Sequence, residues 1–267
     1  MSGSLGGRTV LVTRPRAQAA ELVRLLEHRG ARTIVAPAIR LVPAPARQLD
    51  AALERVLAGE FAWVVLTSRA GVEALLGRLD GRRERFGGAR VAAVGEGTAA
   101  ALRGHGIRPS LVPGTFTTAA LGRAMPRGTG RILLARADIA PEGLEAALER
   151  KGWSVDRVDA YRTRSASGVP VEARRALVSG TVDALTFTSA STARGFVRLA
   201  GGLFRHPAAA TAGRRPPRVV CIGPVTAAEA RALGLRVHAV ADPHTIEGLV
   251  AAVERALEGR AAARRRP

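Results

Sequence analysis

The sequence predicts an α/β protein of two similar lobes, each a doubly wound parallel sheet covered by helices on both faces. Three observations predict it. Short β-rich apolar runs alternate with helical apolar stripes, the pattern of strand–helix–strand units. The chain contains its own duplicate in three collinear blocks. Its 267 residues, 47% of them apolar, are also enough for two packed cores.

The elements follow in order. TVLVT (9–13) reads as a strand, Arg14-Pro15 breaks it, and a helix follows with Ala20, Leu22, Val23, Leu25 and Leu26 as its apolar stripe. Gly30 stops that helix where a left-handed residue is wanted, and TIVAPAI (33–39) begins the next strand. WVVLTS (63–68) reads as a buried strand ending in hydroxyls that can cap a helix beginning near Gly71. VAAVGEGTAAAL (91–102) repeats that plan with Gly95 at the turn; RPSLVP (108–113) is a further short strand and TTAALGRAM (117–125) another helix. GGLFRHPAAATAGRRPPR (201–218) reads as a surface loop.

The duplication is specific because its three blocks are in order. Residues 8–40 match 130–162 at an offset of 122, pairing Arg14 with Arg136 and Gly30 with Gly152. Residues 61–76 match 182–197 at an offset of 121, pairing Thr67-Ser68 with Thr188-Ser189. Residues 91–125 match 219–253 at an offset of 128, pairing Gly95 with Gly223 and Thr98 with Thr226. Two divisions into lobes stay open on this pattern. A cut near residue 128 gives consecutive lobes. Crossing at both Ile39–Pro43 and Tyr161–Ser165 gives a first lobe of 1–40 plus 163–267 and a second of 44–160, with 39–43 and 161–165 as paired hinge segments.

Composition removes several classes. No run of about 18 apolar residues is present, so no transmembrane helix is expected. The start of the chain lacks the order of a secretory signal, so a cytoplasmic location is expected. A lone Cys221 excludes internal disulfides, and the five histidines show neither HxH nor HExxH spacing, so no metal is expected. Neither GxGxxG nor GxxxxGK[ST] stands in its required context, which leaves a nucleotide cofactor without support. The 41 basic and 22 acidic residues give a net charge of +19, a field that favours polyanionic ligands. Aromatics are only 3% and the arginines are scattered, so nucleic acid is not expected; Arg264, Arg265 and Arg266 read as a solvated, frayed end.

In open parallel sheets, ligands bind where strands hand over to helices. The duplicated motifs lie at such ends: Thr13-Arg14, Thr67-Ser68-Arg69, Gly95 to Thr98, Ala135-Arg136, Thr188-Ser189-Ala190 and Gly223 to Thr226. Helix-start N–H groups, hydroxyls and arginines suit carboxylate or phosphate oxygens. Each position also has a plain structural explanation. Hydroxyls cap helices, glycines serve tight turns, Thr98 and Thr226 can bond back to their own turns, and arginines sit on surfaces. Tyr161, the only tyrosine, either packs at a lobe boundary or faces a cleft and donates a proton from its phenol.

VLVTRP (10–15), Pro37–Ile39, VVLTSRAGVEALL (64–76), VAAVGEGTAAAL (91–102), DAYRTR (159–164), DALTFTSAST (183–192), CIGPVTAAEA (221–230) and ADPHTIEGLV (241–250), in that order, resemble the uroporphyrinogen-III synthase family. Leu66 stands where that family usually has phenylalanine. The resemblance implies the crossed division, with a discontinuous first lobe and a two-stranded hinge. It implies a lyase that cyclises hydroxymethylbilane, a linear tetrapyrrole with eight carboxylates, to uroporphyrinogen III and water. Ring D inverts on the way, with no metal or cofactor. It implies that Tyr161 assists departure of the hydroxyl. Arg14, Thr67, Ser68, Arg69, Gly95, Thr98, Arg136, Ser189, Ala190, Gly223 and Thr226 would bind substrate between facing lobes of a cytoplasmic monomer. Two other classes stand beside this one: a two-lobed module that binds a polyanionic small ligand without chemistry, and a regulator with a basic nucleic-acid-binding segment.

Overall fold

A computed structural model describes residues 3–79, 88–205 and 216–262. From the amino terminus run β1 (Thr9–Val12), α1 (Arg16–His28), β2 (Arg32–Val35), β3 (Ile39–Pro43), α2 (Ala46–Leu57), β4 (Trp63–Leu66), α3 (Arg69–Leu76), β5 (Arg90–Ala93), α4 (Glu96–Gly104) and α5 (Thr118–Ala124). There follow β6 (Arg131–Ala137), α6 (Gly143–Glu149), β7 (Ser154–Ser165), α7 (Val171–Val178), β8 (Ala184–Phe187), α8 (Ala190–Arg205), β9 (Arg218–Cys221), α9 (Pro224–Ala232), β10 (Val237–Val240) and α10 (Ile246–Ala262). The chain divides into two compact units, Met1–Arg40 with Arg164–Pro267, and Leu41–Thr163.

The sheet of the first unit has the order β10-β9-β8-β1-β2, and that of the second β3-β7-β6-β4-β5. All four pairings in the first are parallel, as are β7-β6, β6-β4 and β4-β5 in the second. The duplication is visible in these orders. By the repeat, β1 matches β6, β2 matches β7, β4 matches β8 and β5 matches β9. The run β2-β1-β8-β9 is therefore the counterpart of β7-β6-β4-β5. Each sheet takes its first two matching strands from one repeat and the remainder from the other.

Helices cover both faces of each sheet. In the first unit α7, α8 and α9 enclose one core, with Phe187 and Phe196 in it, and α1 and α10 enclose the other. In the second, α2, α3 and α4 lie over one face and α5 and α6 over the other. Burial on both faces explains why the central strands read as unbroken apolar runs: β4 and β8 are buried at every residue. Thr186 is the polar intruder in β8. Its Oγ1 donates to the Leu11 carbonyl at 3.2 Å, while Thr13 Oγ1 donates to the Thr186 carbonyl at 2.7 Å, so both buried hydroxyls are satisfied.

Gly30 and its repeat partner Gly152 adopt φ of 84° and 97° just after α1 and α6, the left-handed conformation expected at the end of the first helix. Three expectations are corrected. RPSLVP forms no strand: Leu111 alone bridges Ala92, with the Ser110 and Leu111 N–H groups both donating to the Val91 carbonyl at 2.7 and 3.3 Å. Pro109 and Pro113 lack the donors a ladder needs, whereas the matching stretch 236–241 has no proline and carries β10. Helix α3 begins at Arg69, two residues before Gly71, because Ser68 already supplies its cap. Of the expected loop 201–218, residues 201–205 complete α8 and Arg218 opens β9, while residues 206–215 lie outside the described residues, as do Arg264, Arg265 and Arg266.

An ideal Cβ at Gly152 would lie 2.6 Å from the Gly128 carbonyl oxygen, whereas at Gly59, with φ of 77°, it would meet nothing within 4 Å. Gly59→Ala should therefore cost only the left-handed penalty, about 1 kcal/mol. Gly152→Ala adds a clash with backbone and should exceed about 2 kcal/mol. The urea midpoint should fall further in the second variant; equal midpoints would show that the backbone at Gly128 yields freely.

Candidate functional site

A doubly wound sheet reverses its winding direction once. In the first unit the chain steps outward from β1 to β2 on one side and from β8 to β9 and β10 on the other, so the reversal lies between β1 and β8. In the second it lies between β6 and β4. Loops leaving these two neighbours diverge to opposite faces and open a crevice at the carboxyl edge. Thr13-Arg14 and Thr188-Ser189 stand at that place in the first unit, and Arg136 and Thr67-Ser68 in the second.

In the second unit Ser68 caps α3, its Oγ accepting from the Gly71 N–H at 3.0 Å. Thr67 and Ser68 are half-buried and Arg69 is exposed. Gly95 precedes α4 in extended backbone, and a Cβ there would lie 2.8 Å from atoms of Phe116, whose ring covers it. The Thr98 N–H donates to the Gly95 carbonyl at 3.1 Å, and its side chain is buried in the first turn of α4.

Tyr161 reaches this edge from β7. The register of β6 on β7 shifts, with Arg136 opposite Asp159 and Ala137 opposite Tyr161, so Ala160 is an extra residue in β7. Such a bulge re-aims the side chains that follow it. Tyr161 packs partly buried against the core beneath α2, α3 and α4, with its phenol beside the Ser68 side chain. Burial pushes the phenol above its ordinary value; the Ser68 side chain and the Arg136 charge pull it back, and Asp138 pushes it up again. The net direction is upward, so Tyr161 carries its proton at neutral pH.

Arg136 is 2% exposed. Its Nη1 donates to Glu145 Oε2 at 2.7 Å and to the Pro141 carbonyl at 3.0 Å, while its buried Nε has no partner among the described residues. Glu145 also accepts, at Oε1, from Arg157 Nη1 at 3.1 Å. Arg136 is thus locked by a carboxylate and acts on its surroundings chiefly through its charge.

In the first unit Ser189 caps α8. Its Oγ accepts from the Thr192 N–H at 3.2 Å and lies 2.9 Å from Ser191 Oγ, while Thr192 Oγ1 donates back to the Ser189 carbonyl at 2.7 Å. Ala190 opens that helix. Gly223 precedes α9 in extended backbone, and a Cβ there would rest in ordinary contact 3.6 Å from the His244 ring. Thr226 is buried in the first turn of α9, and Arg14 is half-buried between β1 and α1.

The second unit therefore brings Tyr161, Ser68 and Arg136 together and sets Thr67, Arg69, Gly95 and Thr98 along the same edge. The first sets Arg14, Ser189, Ala190, Gly223 and Thr226 along its own. Reading the sequence missed Phe116, Asp138, Glu145 and Arg157. Phe116 had a signal, an aromatic in the polar turn PGTFTT of a chain poor in aromatics. Asp138 had none, because its repeat counterpart is Arg16. Among the described residues no three His, Cys, Asp or Glu side chains gather as a metal would require, and no helix is long and apolar enough to cross a membrane.

A family model described as uroporphyrinogen-III synthase HemD matches residues 20–251. A uroporphyrinogen-III synthase of Synechococcus elongatus is 30% identical over 93% of this chain and 95% of its own length. A putative uroporphyrinogen-III synthase of Methanothermobacter thermautotrophicus is 33% identical over 91% of this chain and 96% of its own. The porphyrin biosynthesis protein HemD of Ruminiclostridium josui is 29% identical over 94% of this chain, which spans only 49% of that protein. Two solved structures share the fold. A mutant uroporphyrinogen III synthase of Thermus thermophilus has a TM-score of 0.66 at 22% identity, covering 94% of this chain and 99% of its own. The Helicobacter pylori synthetase has a TM-score of 0.60 at 17% identity, covering 96% and 99%. The chain belongs to the uroporphyrinogen-III synthase family.

Proposed function

We propose that this chain closes hydroxymethylbilane to uroporphyrinogen III and water, a lyase reaction in which ring D is inverted. The observation that carries this reading is the carboxyl edge of the second unit, where a protonated phenol meets a helix-capping hydroxyl in the field of a buried arginine. A ligand with eight carboxylates asks for several anion sites at once. Helix starts with their hydroxyls and N–H groups supply them, at Thr67, Ser68 and Arg69, at Gly95 and Thr98, at Ser189 and Ala190, and at Gly223 and Thr226. Arg14 adds a cation in the first unit, and Arg136 adds its charge from below in the second.

The chemistry then needs one proton. The Tyr161 O–H gives it to the terminal hydroxyl, the carbon–oxygen bond breaks, and water leaves. The pyrrole nitrogen supplies the electron pair that forms the azafulvene in its protonated, cationic form, whose charge balances the phenolate. Ring D attacks through its substituted carbon, the resulting spiro intermediate reopens, and closure in the inverted sense releases a ring proton to the phenolate. Tyr161 ends as it began. Since the same precursor closes in buffer without inversion, the protein must orient the chain ends as well as accelerate the step. In this reading the protein works as a cytoplasmic monomer with no metal or cofactor.

The assay separates type III from type I product after oxidation. Tyr161→Phe should lower turnover about a hundredfold or more with the circular dichroism unchanged; near-normal turnover would remove the proton assignment. Material that yields only the uninverted isomer at the buffer rate would leave a binding module without catalysis. Ser68→Ala and Ser189→Ala should slow turnover by about tenfold or less, because backbone donors share the load, and each should lose about 1 kcal/mol of helix capping. The acid form of Tyr161 is the active one and its pKa is raised above 10.0, so its titration should not limit turnover between neutral pH and about pH 9. The phenolate absorbance of this single tyrosine should rise with a midpoint above 10.0; a midpoint below that value would contradict the burial argument.

A further inference from the structure

Where β6 ends, a side chain replaces a main-chain bond. In a parallel ladder a residue donates its N–H to one residue of the neighbouring strand, and its carbonyl accepts from the N–H two residues further on. Asp138, one residue past β6, keeps the first half of this pattern: its N–H donates to the Tyr161 carbonyl at 3.1 Å. The second half is exchanged. The Thr163 N–H donates to Asp138 Oδ1 at 2.8 Å, while the Asp138 carbonyl accepts from Arg157 Nη2 at 2.9 Å. The same Oδ1 also accepts from the Ile139 N–H at 3.0 Å.

The loop beyond is held in that posture by two arginines. Arg157 also donates to the carbonyls of Ala137 and Ala140, each at 3.2 Å, and Arg136 donates to that of Pro141 at 3.0 Å. Glu145 joins the two guanidinium groups. With these carbonyls turned away from the sheet, the carboxylate of Asp138 carries the ladder forward onto β7. It does so immediately after the extra residue Ala160, where the regular register is interrupted.

We propose that Asp138 is a positioning residue for Tyr161. It clamps β7 at the Tyr161 carbonyl and the Thr163 N–H, and so fixes the direction in which the phenol leaves the bulged strand to meet Ser68. This rests on the reading that Tyr161 supplies the proton. The groups that act on the phenol are Ser68 at the start of α3, Arg136 on β6 and Asp138 itself. Oδ1 serves as an acceptor for two N–H groups, and an uncharged amide oxygen can fill that role.

Two substitutions separate acceptor from charge. Asp138→Asn keeps an oxygen for the Thr163 and Ile139 N–H groups; Asp138→Leu keeps bulk and removes the acceptor. Turnover should fall about a hundredfold in Asp138→Leu with KM within about threefold, and should stay within about threefold of the parent in Asp138→Asn. The Thr163 amide should exchange rapidly in the leucine variant and stay protected in the asparagine one. The phenolate midpoint of the lone tyrosine should move down in Asp138→Asn, because a repelling charge is gone. Parent-like turnover and a protected Thr163 amide in Asp138→Leu would overturn the proposal. A loss in Asp138→Asn as large as in Asp138→Leu would overturn it too, since charge and not the acceptor would then matter. If the leucine variant does not fold, Asp138→Ala, which also has no acceptor, takes its place with the same order of effects expected. A harmless Tyr161→Phe would remove the proton assignment alone, and amide exchange at Thr163 would still decide the clamp.

Discussion

Parallel strands all finish at one edge of their sheet, and each must then hand over to a helix. The helix starts with N–H groups that its own turns cannot satisfy, so capping hydroxyls, close-turning glycines and anions collect at that edge. The reversal of winding adds the second half of the constraint. Only there do the departing loops diverge, and only there does the edge open into a crevice. Ser68, Arg136 and Tyr161 in the second unit, and Arg14 and Ser189 in the first, stand at or beside that reversal because of the strand order and not because of any local motif.

Holding Arg136 there requires further structure. A guanidinium that is 2% exposed would be strongly unfavourable alone, and losing the partner of such a pair typically costs about 3–5 kcal/mol. Glu145 lies in the first turn of α6 to meet it, and Arg157 on β7 meets the same carboxylate from the adjacent strand. The network therefore ties β6, α6 and β7 together directly under the loop 137–141. A positive charge fixed in this way affects the phenol more than it would in water, since the medium around it is poor at screening.

The strand and helix plan was legible wherever burial on both faces forced an apolar run, as in Trp63–Leu66 and Ala184–Phe187. It was legible too where a left-handed turn forced a glycine, as at Gly30 and Gly152. It failed at RPSLVP, where composition resembled a strand and two prolines removed the ladder donors. Strand order was not legible, because two repeats of one pattern can be assembled consecutively or with halves exchanged, and the local sequence is the same in both. The duplicated part of the candidate site could be found for a related reason: a residue required by the same turn in both copies appears twice. Asp138, Glu145, Arg157 and Phe116 escaped because they answer to single neighbours that one copy alone possesses.

That asymmetry bears on how a duplicated fold performs directional chemistry. In the proposed reading a ligand with carboxylates along its length would be served by repeated motifs, and the repeat carries them twice: Ser68 with Ser189, Gly95 with Gly223, Thr98 with Thr226, Arg14 with Arg136. A reaction at one end of that ligand needs the opposite, a group present once. By the repeat, Tyr161 corresponds to Ile39 and Asp138 to Arg16, so neither the phenol nor Asp138 has a twin. Arg136 shares its residue type with Arg14, but its matching carboxylate does not recur: Glu145 corresponds to Val23, and the partner on the next strand, Arg157, to Val35. In the proposed reading the copies agree where an anion would be held and differ where a proton would be delivered. One proton source among repeated anion-holding motifs would be sufficient to make the two ends of a linear ligand inequivalent.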